Sequence, residues 1–135
     1  MIKEIRDQLI TDIQENIGSL SKVDKYRGEF EEGSDWNPTD TACFIQVIGY
    51  KPKVRSSANT LLKSTVLIRI YSGANFRHNK DGLDVTEAVI SLVDGGLLDV
   101  DGSLYRMAIS EDGFDFIYYE RGFEGYAFNL MITKS

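Results

Sequence analysis

Hydrophobic residues return every three or four positions at the start of the chain: Ile2, Ile5, Leu9, Ile13 and Ile17. That spacing sets them on one face of a helix, which Ile10 widens. It predicts an amphipathic helix over 2–17, with Gly18 standing where a C-terminal cap would. The stripe is too short and too narrow for a coiled coil, so the helix is expected to lie on a sheet.

The period then shifts to two. Residues 22–30 alternate as a strand, with Tyr26, Gly28 and Phe30 sharing a face. Glu31 to Thr41 carries Gly33, Ser34, Asp35, Asn37, Pro38 and Asp40 and reads as a loop. Residues 42–50 are apolar on both faces, which predicts an interior strand covered on both sides. A polar, basic stretch follows over 51–60. Residues 61–71 return to strand, with Leu62, Val66, Ile68 and Ile70 on one face and Lys63, Thr65 and Arg69 on the other.

Ser72 to Asp81 is expected to be a loop. A second helix is predicted over 82–94, burying Val85, Ala88, Val89, Leu92 and Val93. Asp81 or Asp84 caps its start, and Gly95-Gly96 ends it. The remainder reads as a meander of strands 104–109, 114–121 and 125–133. Turns are expected at Asp99–Gly102, Glu111–Gly113 and Gly122–Gly125. The order α-β-β-β-α-β-β-β predicts one α+β domain over 1–135: a mostly antiparallel sheet with two main helices packed on it. No internal repeat, linker or low-complexity tract interrupts it.

Composition supports a folded chain. Of 135 residues, 42% are hydrophobic and 11% aromatic, enough for a sizeable core. The net charge of −6, with 21 acidic residues among 15 basic ones, argues against a broad phosphate-binding surface. The opening Met1-Ile2-Lys3-Glu4 is unlike a signal peptide, and no apolar run approaches a membrane span. A cytoplasmic protein with no membrane partner is expected.

Chemistry is sparse. Cys43 stands in the apolar run Ala42–Ile45, where it reads as a small buried hydrophobe. As a nucleophile it would need His78, the only histidine. One Cys and one His cannot build a zinc site. Asp99, Asp101 and Gly102 resemble the start of a calcium loop, but the glycine is misplaced and the terminal glutamate is missing, so a hairpin turn is expected. The carboxylate pairs Asp112 with Asp115 and Asp35 with Asp40 read as turn and solubility residues rather than acid–base partners. No enzyme activity, cofactor or metal is therefore expected.

The candidates that remain are contacts. Lys51, Lys53, Arg55 and Lys63, then Arg77 and Lys80, read either as solvated loops or as a basic surface docking on an acidic neighbour. Trp36, in a polar loop, either folds back onto the core or anchors a partner.

In layout the chain resembles the small tail-terminator and tail-completion proteins of Mu-like contractile-tailed phages and prophages. The resemblance rests on the amphipathic start Ile2–Ile17, the strand ending Gly28-Glu-Phe-Glu31, and the apolar strand Cys43–Tyr50. It continues through Val66–Tyr71, the polar loop with Asn75 and Arg77, the helix Gly82–Val93 before Gly95-Gly96, and the closing strand Tyr126–Ile132. It implies a structural protein that caps the tail tube and sheath as a ring, usually hexameric, stops polymerisation and presents a surface to the head–tail connector. Its partners would be itself, tube and sheath proteins and that connector, with DNA passing through unread. It would reside in host cytoplasm during assembly and then in the virion tail. The resemblance carries over no binding residue; the polar loops Lys51–Asn59 and Ala74–Lys80 are the expected inter-subunit or tube-facing contacts. The rival reading is a small binding or immunity-type protein that inhibits a partner enzyme, using Glu29, Glu31, Glu32 and Asp35 against a basic target.

Overall fold

The structure is a computed structural model that describes residues 1–38, 40–52 and 64–134. Helix α1 (Ile2–Asn16) buries Ile5, Leu9 and Ile13, as its periodicity dictates. Ile17 closes it, donating its N–H to Ile13, and Gly18 does not take the left-handed conformation of a glycine cap. Helix α2 (Gly82–Val93) is capped by Asp81, whose side chain accepts from the Leu83 N–H. Gly95, at φ 77°, turns the chain out of it.

Among the described residues, six strands form one sheet in the order β1-β2-β3-β6-β5-β4. These are β1 (Lys22–Lys25), β2 (Thr41–Lys51), β3 (Thr65–Asn75), β4 (Leu97–Val100), β5 (Ser103–Glu120) and β6 (Phe123–Lys134). All neighbours run antiparallel except β1 and β2. The architecture is α+β, with the expected order of elements.

Both helices cover one face. There Cys43, Ile45, Val66, Ile68, Ile70, Leu98, Tyr105, Met107, Phe128, Leu130 and Ile132 meet Ile5, Leu9, Ile13, Val89 and Val93 in the main core. Helix α1 touches both β1 and β4, the outermost strands, so the sheet curls around it. A buried hydrogen bond joins α2 to the sheet: Thr86 and Ser72 hydroxyls lie 2.8 Å apart, both fully buried.

The strand boundaries differ from the pattern in four places. First, β1 ends at Lys25, because Gly28 at φ 88° turns the chain and sends Tyr26 and Phe30 over the opposite face. A parallel neighbour requires a long crossover, and residues 26–40 supply it. Second, β3 continues through Ser72–Asn75, read from sequence as loop; their polar groups are satisfied inside the fold by Thr86 and by the N–H of Arg77. Third, Leu97–Val100 is a strand, joined to β5 by a tight turn with Asp101 at φ 52° and Gly102 at φ 86°. The Gly102 N–H donates to Asp99 at 2.8 Å, so the calcium-like residues make a hairpin turn. Fourth, Glu111–Gly113 is no turn between strands. It is an irregularity inside β5, where the pairing with β6 shifts between Ile109 and Phe114. The last turn is Arg121-Gly122, at φ 53° and 83°, one step before the expected stretch.

Candidate protein-contact surface

The crossover builds a second cluster on the face away from the helices. Phe30, Phe44, Tyr71, Tyr118 and Phe123 are buried there, with Tyr26 and Trp36 packed against them. Tyr26 stacks on Tyr71 at 3.7 Å and Phe30 on Tyr118 at 4.8 Å. Two glycines paired across β3 and β6, Gly73 and Gly125, leave room for the rings. A Cβ on Gly125 would come within 2.5 Å of the Phe30 ring. Burial pushes the Tyr26 phenol up to about 12, with the neighbouring Tyr71 and Glu31 adding to the shift.

Trp36 therefore folds back onto the sheet and is partly covered, its ring edge-on to Phe44 at 5.5 Å and Phe123 at 5.0 Å. Arg121 donates to its carbonyl at 3.0 Å. Around it, Arg27, Glu29, Glu31, Glu32 and Asp35 line an open hollow. Glu29 is itself buried and accepts from the Arg27 N–H, while Glu31, Glu32 and Asp35 face solvent.

Among the described basic residues, Lys51 lies apart from Arg77 and Lys80. Strands β2 and β3 pair antiparallel, with Lys51 opposite Thr65 at one end and Thr41 opposite Ala74 at the other. Lys51 is exposed at the first end. Arg77 and Lys80 follow Asn75 at the other, roughly 30 Å away at the usual rise per strand residue. Lys53, Arg55 and Lys63 lie outside the described residues. The Arg77 stem packs over Gly122, and Lys80 borders a shallow hollow with Phe76, Asn79, Asp81, Asp84 and Glu124.

Cys43 and His78 sit in unlike surroundings. Burial alone pushes the Cys43 thiol up to about 12, which keeps it protonated and unreactive at neutral pH. His78 is exposed and pairs through Nδ1 with Asp40 at 2.8 Å. Among the described residues, no three or more His, Cys, Asp and Glu side chains are arranged to hold a metal ion. No described helix is long and apolar enough to cross a membrane.

The most unusual surface was not singled out in the sequence. Strand β4 pairs with β5 only over Ser103–Arg106. Gly95 and Gly96 exchange backbone hydrogen bonds with Met107, and Asp94 accepts from the Ile109 N–H at 3.0 Å. Beyond that point no described strand pairs with the outer side of β5, and its last ten residues form an open sheet edge. On this stretch Phe114, Phe116, Ile117 and Tyr119 are exposed, Phe116 by 55% and Tyr119 by 61%.

These rings form a continuous row. Phe114 and Phe116 pair across the strands with Phe128 and Tyr126, which sets them on the helix-bearing face beside the start of α2. Phe114 meets Tyr126 at 5.7 Å, Tyr126 meets Phe116 at 5.3 Å, Phe116 meets Tyr119 at 6.2 Å, and Tyr119 stacks on Phe76 at 5.7 Å. Phe76 opens the 3-10 turn Phe76–His78, held down by its N–H to the Gly122 carbonyl at 2.9 Å. Exposed Leu83, on the first turn of α2, adds a further apolar side chain at this end of the fold. Contiguous exposed aromatics of this kind mark contact surfaces, because large rigid rings gain most from being covered and lose little conformational freedom. Compared with models of known families and with curated proteins, the chain matches none of them.

Proposed function

We propose that this chain is a structural assembly protein, a tail terminator or tail-completion protein that closes the tail tube and sheath as a ring of copies and offers a surface to the head connector. The layout of the elements carries the family resemblance. What supports an assembly role is the aromatic row Phe76–Tyr119–Phe116–Tyr126–Phe114 beside an unpaired strand edge. Binding without turnover needs a rigid scaffold with apolar anchors, and both are present on one side of the sheet. A closed ring needs two unlike patches per copy. An acidic protein, net −6, lets DNA pass without adhering.

The test is polymerisation of the cognate tail-tube protein with and without this chain, viewed by electron microscopy, with masses measured by light scattering. The expected result is tubes of limited length bearing a ring at one end. Phe116→Ser combined with Tyr119→Ser should fold normally and fail to cap. Tubes that grow unchanged, with the protein never attached, would overturn the reading.

The exposed acidic loop Glu31, Glu32 and Asp35 favours a second reading, an inhibitor of a basic partner enzyme. Tight one-to-one capture of a nuclease, lost on Glu31→Lys with Glu32→Lys, would select it.

A further inference from the structure

The two margins of the sheet carry opposite charge. On the unpaired half of β5, Glu111, Asp112, Asp115 and Glu120 are all exposed, and no Lys or Arg stands between Ser110 and Glu120. At the other margin is β1, whose outer side no described strand pairs with. It carries Lys22 and Lys25, followed by Arg27, whose guanidinium is occupied by Asp24 at 2.8 Å. One margin is therefore an acidic, aromatic strand edge and the other a short basic one.

We infer that the occupant of the β5 edge is the β1 edge of a second copy of this chain, joined strand to strand and repeated head to tail. The inference rests on the ring reading above and gives it a seam. Backbone N–H and C=O groups on each margin supply the hydrogen bonds of strand addition, apart from the Lys25 N–H, which already donates to the Asp24 carboxylate at 2.7 Å. The charges choose which margins meet. A two-fold pairing of β5 with β5 sets Glu111, Asp112, Asp115 and Glu120 against the same carboxylates of the other copy. A pairing of β1 with β1 sets lysine against lysine. Only the unlike pairing brings uncommitted carboxylates to Lys22 and Lys25, because Asp24 on β1 is already held by Arg27 and by the Lys25 N–H, and like-charge juxtaposition across an interface is strongly disfavoured. An unlike pairing leaves one margin of each kind open at every step, so it does not stop at two copies. It closes into a ring where the rotation per copy divides the circle, and runs on as a filament where it does not.

The aromatic row gives the seam its apolar part. Phe116 and Tyr119 stand on the helix-bearing face next to the β5 edge, where a neighbour's β1 and the α1 packed against it would cover them. This explains why rings so large are left exposed on a single copy.

Charge exchange tests the pairing. Variant one carries Asp115→Lys and Glu120→Lys; variant two carries Lys22→Glu and Lys25→Glu. Lys22, Asp115 and Glu120 are exposed and Lys25 is half-buried, and circular dichroism with thermal melts checks that both variants fold. Self-association of the unaltered chain is measured by sedimentation over a concentration series, at low and high salt. The expected result is association that weakens with salt, is at least roughly tenfold weaker in either variant alone, and returns when the two variants are mixed, because each then presents the margin the other lacks. If the unaltered chain associates and both variants associate equally well alone, the seam is wrong and the ring reading stands. If the variants lose association but mixing does not restore it, the unlike pairing is overturned. An unaltered chain that stays a single copy at every concentration overturns the self-pairing, and the tube-capping experiment then decides the ring reading separately.

Discussion

The Ser72–Thr86 hydroxyl pair is a buried polar link between α2 and the sheet interior, and it gives a quantitative test of how the helix is held. Both side chains are fully buried, and their oxygens lie 2.8 Å apart. Removing one partner strands the other, at about 1–3 kcal/mol. The two single changes should not cost the same. In Ser72→Ala the orphan is Thr86, on a helix, where the hydroxyl can rotate to donate to the carbonyl one turn back, that of Gly82. The loss should fall near 1 kcal/mol. In Thr86→Val the orphan is Ser72, on a strand whose carbonyls are taken by the ladder, so the loss should fall near the upper end, about 2–3 kcal/mol. The double change removes both hydroxyls and should cost about 1 kcal/mol, well below the sum. In a domain of this size, melting should drop roughly 3–5 °C per kcal/mol. Thermal and urea unfolding followed by circular dichroism would measure all three. Losses that add to within about 0.5 kcal/mol would show the two hydroxyls to be independent and refute the reasoning.

Three further outcomes are expected. Phe30→Ala should cost about 3–5 kcal/mol, because its ring fills the centre of the outer cluster; Trp36 fluorescence should shift to the red as the loop loosens, and an unshifted spectrum would disconnect Trp36 from Phe30. Ultraviolet titration should show a tyrosine that ionises only near pH 12, absent in Tyr26→Phe. Tyr26 is neutral when folded and its pKa is raised, so its share of stability is intact below about pH 10 and is lost as pH rises through about 12; alkaline unfolding should therefore move upward in Tyr26→Phe. Cys43 should resist a thiol reagent in the native protein at neutral pH and react fully in denaturant, and fast native labelling would show the main core to be open at β2.

Periodicity located most of the scaffold. The stripes Ile5, Leu9, Ile13 and Val85, Val89, Val93 became buried helix faces, and the two-residue alternation of Phe128, Leu130 and Ile132 set β6 in the core. Polar residues misled wherever the fold satisfies them internally. Ser72 and Asn75 read as loop because a sequence does not display Thr86 or the Arg77 N–H as partners. Glu111–Gly113 read as a turn because an irregularity within a strand uses the same residue types as a turn between strands. The contact surface was hidden for a related reason. Phe114 and Phe116 alternate as core residues do, and alternation sets a face without telling which strand will cover it. Only the short reach of β4, four residues against the eighteen of β5, leaves them outside. The closest signal in the chain is the company they keep, acids at 111, 112, 115 and 120 with no cation among them.

Helix α1 touches the first and last strands of the sheet, so it works as a tie-rod across an arch. The side chains of Ile5, Leu9 and Ile13 fix how far the arch is drawn in. In the proposed ring, that curvature together with the angle at each seam would set the turn from one copy to the next, and so how many close the circle. A shorter side chain at Leu9 would then do more than loosen a core: it would change the diameter of the hole.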